Sequence, residues 1–238
     1  MARISPHFPL SHGVARVDDR WVVSGIVYVI RNGLQWKDAP SGYGPHKALD
    51  NCFIRWNRLG VFDRIFAGLA GEGPAPQRIM VDATHLKAHR TAASLLKKGM
   101  FPVVSGEPSG LNSKLHTVCD GDGRPIASVS RSDERPQGRT SRADALPPAD
   151  HLIADRGYDS TWFREELEAR GVKPCIQSSQ SRKMPFAYDK VLYRRRHKVE
   201  NLFAKLKDWW RSAMRYDRCA HTFFSAIGIA AAVIFRLY

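Results

Sequence analysis

Arg78-Ile-Met-Val-Asp-Ala-Thr84 is a short apolar run interrupted by one acid. Bounded upstream by the linker-like Gly71-Glu-Gly-Pro-Ala-Pro76, it reads as a strand buried on both faces. Downstream, Lys114-Leu-His-Thr-Val-Cys119 and Pro125-Ile-Ala-Ser-Val-Ser130 flank Asp120-Gly-Asp-Gly123. Asp-Gly pairs between strand-like runs predict a hairpin. His151-Leu-Ile-Ala-Asp155 is another buried strand. Residues 159–170 read as a helix, 172–176 as a strand, 177–191 as a basic loop and 192–216 as a long helix. Residues 91–112 read as a loop, and 131–149 as a polar stretch with a short helix.

Three strands followed by alternating helices and strands predict an α/β fold, a mixed sheet flanked by helices. This is the element order of a ribonuclease-H-like domain, expected to span residues 77–238. Upstream, residues 1–72 read as a small all-α domain. Trp21, Val22, Ile26, Val29 and Ile30 recur at helical spacing, with Gly33 as the C-cap. Pro40, Gly42, Gly44 and Pro45 form a loop; Leu49, Phe53, Trp56 and Leu59 mark a second helix. After Gly60, Val61, Phe62, Ile65, Phe66 and Leu69 mark a third. Three short helices around aromatic residues suit a helix-turn-helix-like domain or, equally, a structural cap. Arg31, Lys37, Lys47, Arg55, Arg58 and Arg64 decorate it.

The chain has 238 residues, 43% of them hydrophobic, and a formal net charge of +14. The apolar fraction excludes a disordered chain. Such a charge repels itself in a folded protein and points to a polyanionic partner. Cys52, Cys119, Cys175 and Cys219 have no zinc-ribbon spacing and read as reduced core residues of a cytosolic protein. Met1 to Pro9 carries no apolar signal-peptide region. Residues 223–237 are apolar except Arg236, but shorter than the ~20 residues of a membrane span. They read as a buried C-terminal helix, so no membrane partner is expected.

Asp82 and Asp155 each close an apolar strand. Burying one carboxylate costs several kcal/mol unless a cation compensates. Taken singly, either acid could simply reach solvent or pair with a neighbour such as Arg156. Glu200 changes the balance. On a helical wheel Tyr193, Arg196, Glu200 and Lys207 fall within an arc of roughly 60°. Val199, Leu202, Phe203, Leu206 and Trp210 form a separate apolar stripe. From Arg182 to Arg218 there are 12 Lys/Arg against 4 Asp/Glu, an electrostatic footprint for a phosphate backbone. Phosphodiester transfer needs an in-line nucleophile and a stabilised leaving oxygen, and two Mg²⁺ ions ~3.5–4 Å apart serve both ends. Mg²⁺ takes hard oxygen ligands, so carboxylates are its natural holders.

These residues resemble the DDE transposases of short bacterial insertion sequences, in the IS-five group of the IS-four superfamily. The matching segments are Val81-Asp-Ala-Thr-His-Leu-Lys-Ala-His89 for the first acid and Ile153-Ala-Asp-Arg-Gly-Tyr-Asp159 for the second. The third is Tyr193, Arg196, Glu200 and Lys207, spaced as in the family signature. Arg16-Val-Asp-Asp-Arg20, Gln35-Trp-Lys-Asp-Ala-Pro40, Tyr43-Gly-Pro45 and Gly110-Leu-Asn-Ser-Lys-Leu-His116 also match.

The resemblance implies metal ligation by Asp82, Asp155 and Glu200, with two Mg²⁺ ions that Mn²⁺ can replace. It implies DNA contacts by Tyr193, Arg196 and Lys207, joined by Arg194, Arg195 and Lys198 of the basic run. The partners it implies are terminal inverted repeats and target DNA, bound by a homodimer or larger assembly in the bacterial cytoplasm, at the nucleoid. The family's first helix with its acidic-Trp pattern is missing, so a shortened N-terminal domain is expected. Residues 101–109 and 134–144 depart from the family and read as marks of a decaying copy. A nuclease on the same fold and a copy that only binds DNA are the rival readings.

Three further features lie outside this pattern. His85 and His89, four apart, suit a zinc pair less well than a structural or DNA-facing role. Trp209 and Trp210 are candidates for stacking on an unpaired base; Trp210 reads as core and Trp209 is open. Asp159 reads as the N-cap of the helix after the second acid.

Overall fold

The computed structural model describes residues 1–9, 18–89, 92, 112–130, 146–217 and 219–237. The chain forms two compact units: Met1–Gly71 with Leu86–Ser113 and Lys205–Tyr238, and Glu72–His85 with Lys114–Ala204. The boundary at Gly71 falls in the expected linker. The C-terminal helix, counted by sequence with residues 77–238, packs in the first unit.

In the first unit, helices α1 (Asp19–Asn32), α2 (His46–Arg58) and α3 (Val61–Ala70) form where three amphipathic runs were read. Asp18 caps α1 by accepting from the Arg20 amide, and Gly33 ends it in the left-handed conformation at φ 66°. Leu49, Phe53, Trp56, Phe62, Ile65 and Leu69 are buried, and the Phe53 and Phe62 rings lie 5.7 Å apart. Trp21 and Leu59, read with these stripes, are instead 55% and 47% exposed; each sits at an end of its helix, where the apolar face runs out. The C-terminal helix α8 (Ala220–Arg236) packs against α3. Its Phe223, Ala226, Ile227 and Ala230 are buried, small residues letting the backbones approach. Among the described residues no helix is long and apolar enough to cross a membrane.

The second unit is built on β1 (Arg78–Ala88), β2 (Asn112–Asp120), β3 (Pro125–Ser130), β4 (His151–Ala154) and β5 (Lys173–Ile176), in the order β3-β2-β1-β4-β5. β2 and β3 pair antiparallel, while β1, β4 and β5 run parallel, so the sheet is mixed as expected. The hairpin turns where Asp-Gly predicted it. Asp120 Oδ1 accepts from the amides of Asp122 and Arg124, and Gly123 takes φ 80°. β1 runs four residues beyond the expected Thr84; its last residues, Lys87 and Ala88, belong to the first unit and pair there with the two-residue β6 (Met214–Arg215).

Helix α4 (Thr161–Ala169) covers one face of the sheet: Phe163 and Leu167 pack with Ile79, Val81, Leu152, Ala154 and Ile176. The expected helix over 192–216 is not one helix. It comprises α5 (Lys190–Tyr193), a 3-10 turn at Arg194–Arg196, α6 (His197–Lys207) and α7 (Trp210–Ala213). Trp209 is extended at φ −93°, ψ 110°, which resets the wheel after Lys207. Trp209 is therefore buried at 6%, and Trp210, read as core, is 60% exposed.

The cysteines are all free, but only Cys119 and Cys175 are buried; Cys52 is half-buried and Cys219 exposed, against the core reading of all four. Burial first, then the Asp120 and Asp82 charges, push the Cys119 thiol up to about 12. The Phe101–Ser109 and Glu134–Asp144 departures, the short helix within 131–145 and Arg16 lie outside the described residues.

Candidate active site

The sheet register brings the first two acids together. Met80 pairs with Ile153 and Val81 with Ala154; one residue on, the chains reach Asp82 and Asp155. Ile79, Val81, Leu152 and Ala154 face α4. Alternation along a strand therefore sends Met80, Asp82 and Ile153 to the opposite face. Asp155 continues the strand, extended at φ −74°, ψ 171°. Asp82 is not at a strand end, as sequence suggested; it lies inside β1, and exposure rises just after it.

Glu200 reaches the same place through an arginine. Arg196 Nη1 donates to Asp82 Oδ2 at 2.6 Å, and its Nη2 donates to Glu200 Oε1. The guanidinium thus bridges the first and third acids. Asp82 is held above the usual carboxylate range. Burial is the main cause, opposed by the Ala83 amide and Arg196 and reinforced by the Asp155 and Glu200 charges. Those two repulsions also show that all three acids share one neighbourhood. The Asp155 carboxylate accepts from the Gly157 amide at 3.0 Å.

Tyr193 completes the group. The Arg196 guanidinium lies 6.0 Å from its ring centre, and its hydroxyl donates to Gln177 Oε1 at 3.2 Å. Burial first, then the Asp155 charge, raises its phenol above the ordinary value against the pull of Arg196. Arg194 and Arg195 are exposed, as DNA-facing cations would be. Lys198, expected with them, is half-buried and donates to the Gly121 carbonyl at 2.8 Å, anchoring the β2–β3 turn. Lys207 lies in the first unit and is exposed. His85 is exposed within β1, and His89 lies past its end, stacked 5.1 Å from Tyr216. The two are not on one helix face, so the zinc-pair geometry is not met.

Among the described residues, no three of His, Cys, Asp and Glu converge on a point as a finished metal cage. Arg196 stands where their charges meet. The donor set nonetheless suits a hard divalent cation: three carboxylates, no sulfur or imidazole, and one carboxylate whose ionisation the others disfavour.

Sequence reasoning missed a second charged centre. Asp159 is not a helix cap; Ser160 holds that position, with no side-chain cap bond. The Asp159 carboxylate is fully buried and accepts from Arg164 Nε at 2.8 Å, Arg182 Nε at 2.9 Å and the Ser179 amide at 2.7 Å. The signal was in the sequence: Arg164 lies between Phe163 and Leu167 on the inward stripe of α4. A cation there requires a buried acid.

The chain resembles known proteins over most of its length. Residues 1–66 match the family described as "Putative transposase of IS4/5 family", and residues 73–235 match "Transposase DDE domain". The chain is 30% identical over 128 residues to "Putative transposase for insertion sequence element IS6501" of Brucella ovis, covering 52% of this chain and 98% of that one. It is 29% identical over 147 residues to "Putative transposase for insertion sequence element IS402" of Burkholderia cepacia, covering 56% and 66%. An uncharacterized protein, y4sN, of Sinorhizobium fredii is 32% identical over 89 residues, covering 37% and 70%. Among solved structures, the piggyBac transposase in its synaptic complex with hairpin DNA matches at a TM-score of 0.58 and 12% identity, covering 98% of this chain and 70% of that one. That likeness bears on the fold, which is the ribonuclease-H-like fold expected from the element order. Domains of the matched family depend on divalent cations and act on DNA. With Asp82 and Glu200 bridged by Arg196, Asp155 one residue past β4, and most of its length matched, the chain belongs to the DDE-domain transposases.

Proposed function

We propose that this chain cuts DNA at the terminal inverted repeats of a bacterial insertion sequence and joins the freed 3′-OH end to target DNA. The observation that carries this reading is the bridge from Arg196 to Asp82 and Glu200, beside Asp155. In this reading Asp82, Asp155 and Glu200 hold two Mg²⁺ ions, with Mn²⁺ an acceptable substitute. When bound, such ions activate the attacking oxygen and stabilise the leaving one. Arg196 gives up its carboxylates when they take a cation and turns to a phosphate oxygen, which its planar fork fits. Tyr193 and Lys207 contact DNA near the cut end, and Arg194 and Arg195 hold the backbone further out. Residues 1–72 serve as the DNA-binding domain and 77–238 as the catalytic domain, a division supported by the two family matches. Two element ends must be handled together, so the working form is a homodimer or larger, at the nucleoid.

The test uses the full chain and a plasmid carrying the DNA that flanks its gene, with Mg²⁺ or Mn²⁺. Metal-dependent nicks at the repeat ends, and joined products from pre-cleaved ends, are expected. Glu200→Gln should keep DNA binding and lose cutting by more than the ~10–100-fold that loss of an outer partner of a metal ligand costs. Hydrolysis without joining identifies a nuclease instead. End binding without a nick under either metal identifies a chain that only binds DNA.

A further inference from the structure

We propose that the loop from Gln177 to Asp189 is a preformed DNA-contact finger, with Lys183 and Met184 at its tip and Asp159 as the positioning residue that holds it. This rests on the DNA reading above.

The loop is locked far more firmly than a connector needs to be. It leaves β5 at Ile176 and enters α5 at Lys190. Asp159, four residues beyond Asp155, accepts from the Ser179 amide and from Arg182 within the loop. Arg182 also donates to Thr161 Oγ1 at 3.1 Å. Arg164, 3% exposed, holds the other Asp159 oxygen and donates to the Ile176 carbonyl at 2.8 Å, at the loop's root. Both guanidiniums lie against the Phe186 ring, that of Arg164 4.5 Å and that of Arg182 4.8 Å from its centre. Ser178 closes the loop: its hydroxyl accepts from the Phe186 amide at 2.9 Å and donates to the Phe186 carbonyl at 3.4 Å. Gln177 is tied to Tyr193, so the finger is fixed to the site as well.

A buried carboxylate with two guanidiniums is costly to build and adds little net stability over an apolar packing. What it secures is a fixed loop shape. The side chains left outside that shape identify the occupant. Lys183 is exposed and Met184 is 82% exposed, beside half-buried Arg182. Between Gln177 and Arg196 the sequence has six Lys/Arg and one acid, Asp189. Asp189 is occupied in capping α5 through the Val191 and Leu192 amides. An apolar tip in a stretch whose charges are mainly cationic matches a DNA groove. The cations meet phosphates there, and a flexible apolar side chain fits against sugars or a base step. An acid-rimmed protein partner would also meet the cations; protection of Met184 by bare duplex is what separates the two.

Oxidative footprinting of the full chain tests the contact directly. A short mixed-sequence duplex is the probe, and sulfoxide formation is read by mass spectrometry. Met184 should oxidise readily in the free chain and be protected at saturating duplex. Lys183→Ala should flatten the slope of log K against log salt by about one. Met184→Ala should weaken binding with the slope unchanged. Asp159→Asn should open the loop to trypsin between Arg182 and Lys183, which the wild type resists. Should that variant fail to fold, the Lys183 and Met184 variants still decide. If the wild type binds duplex but Met184 oxidises at one rate with and without it, the finger is wrong and the DNA reading stands. If the wild type binds no DNA at any salt, both fall.

Discussion

Arg196 and Asp159 are single charges that their surroundings neutralise in opposite senses. Arg196 sits between two acids that the proposed chemistry needs free, so its pairing is exchangeable. Asp159 sits between Arg164, Arg182 and an amide, and nothing in the proposed chemistry requires it to let go. Its burial alone would raise its pKa, but the Ser179 amide and the two arginines outweigh that and hold it below the ordinary value. A lowered folded value means that its stabilisation is present above the unfolded value, near 3.8, and is lost as pH falls through the folded one. Asp159→Asn should therefore cost about 3 kcal/mol at neutral pH, as breaking a buried pair does. The difference from wild type should vanish in strong acid. Urea melts of both chains at pH 7 and at the lowest pH where the wild type still folds would check this; a constant difference at both would refute it.

At the scale of elements, the ends of helices decide what sequence periodicity cannot. Gly33 closes α1 at φ 66°, and a Cβ there would sit 2.6 Å from Trp210 Cβ. Gly33→Ala should destabilise the chain by about 2 kcal/mol, from backbone strain and the displaced indole together. The two tryptophans make a paired test. Trp209→Ala should cost about 3–5 kcal/mol as a buried aromatic truncation, and Trp210→Ala less than ~1 kcal/mol. Thermal melts of the two would rank them, and the reverse order would contradict the geometry. Much of this architecture was legible in the sequence. The apolar runs at 78–84 and 151–155 became adjacent parallel strands, the Asp-Gly hairpin formed in place, and Val199, Leu202, Phe203 and Leu206 are buried as the wheel required. The exposure of Trp210, read as core, was not legible, because the wheel assumes a helix unbroken past Lys207. The role of Asp159 was half legible: Arg164 on the inward stripe of α4 called for a buried acid, but Arg182, from a loop 23 residues away, lay beyond local spacing. In the site, the i, i+4 spacing of Arg196 and Glu200 was legible and their ion pair formed, whereas the place of Asp82 inside β1 rather than at a strand end was not, because β1 runs on past the apolar run. Lys198 escaped because a lysine in a basic run looks the same whether it faces a phosphate or a carbonyl.

Over the whole molecule, charge is the dominant quantity. A net +14 on 238 residues opposes compaction, and exposed cations occur both on the N-terminal helices and around the proposed site. Arg31, Lys37, Lys47, Arg55, Arg58 and Arg64 are all exposed, as are Arg194 and Arg195. If these cations meet phosphates, each contact releases a condensed counterion, and binding must weaken with salt in proportion to their number. A chain making about 6–10 phosphate contacts would lose roughly 10³–10⁵ in affinity for duplex DNA between about 50 and 200 mM salt. Arg194→Ala with Arg195→Ala should flatten that dependence by about two units of slope and weaken binding to all sequences alike, because phosphate contacts carry no sequence information. Substituting cations on the N-terminal helices should instead separate repeat from non-repeat DNA, if residues 1–72 read the repeats. Fluorescence anisotropy with a repeat-end duplex and a scrambled one, across a salt series, distinguishes the two groups. An unchanged slope in the Arg194/Arg195 variant would remove that pair from the DNA surface, leaving the carboxylate assignment to stand on Glu200→Gln.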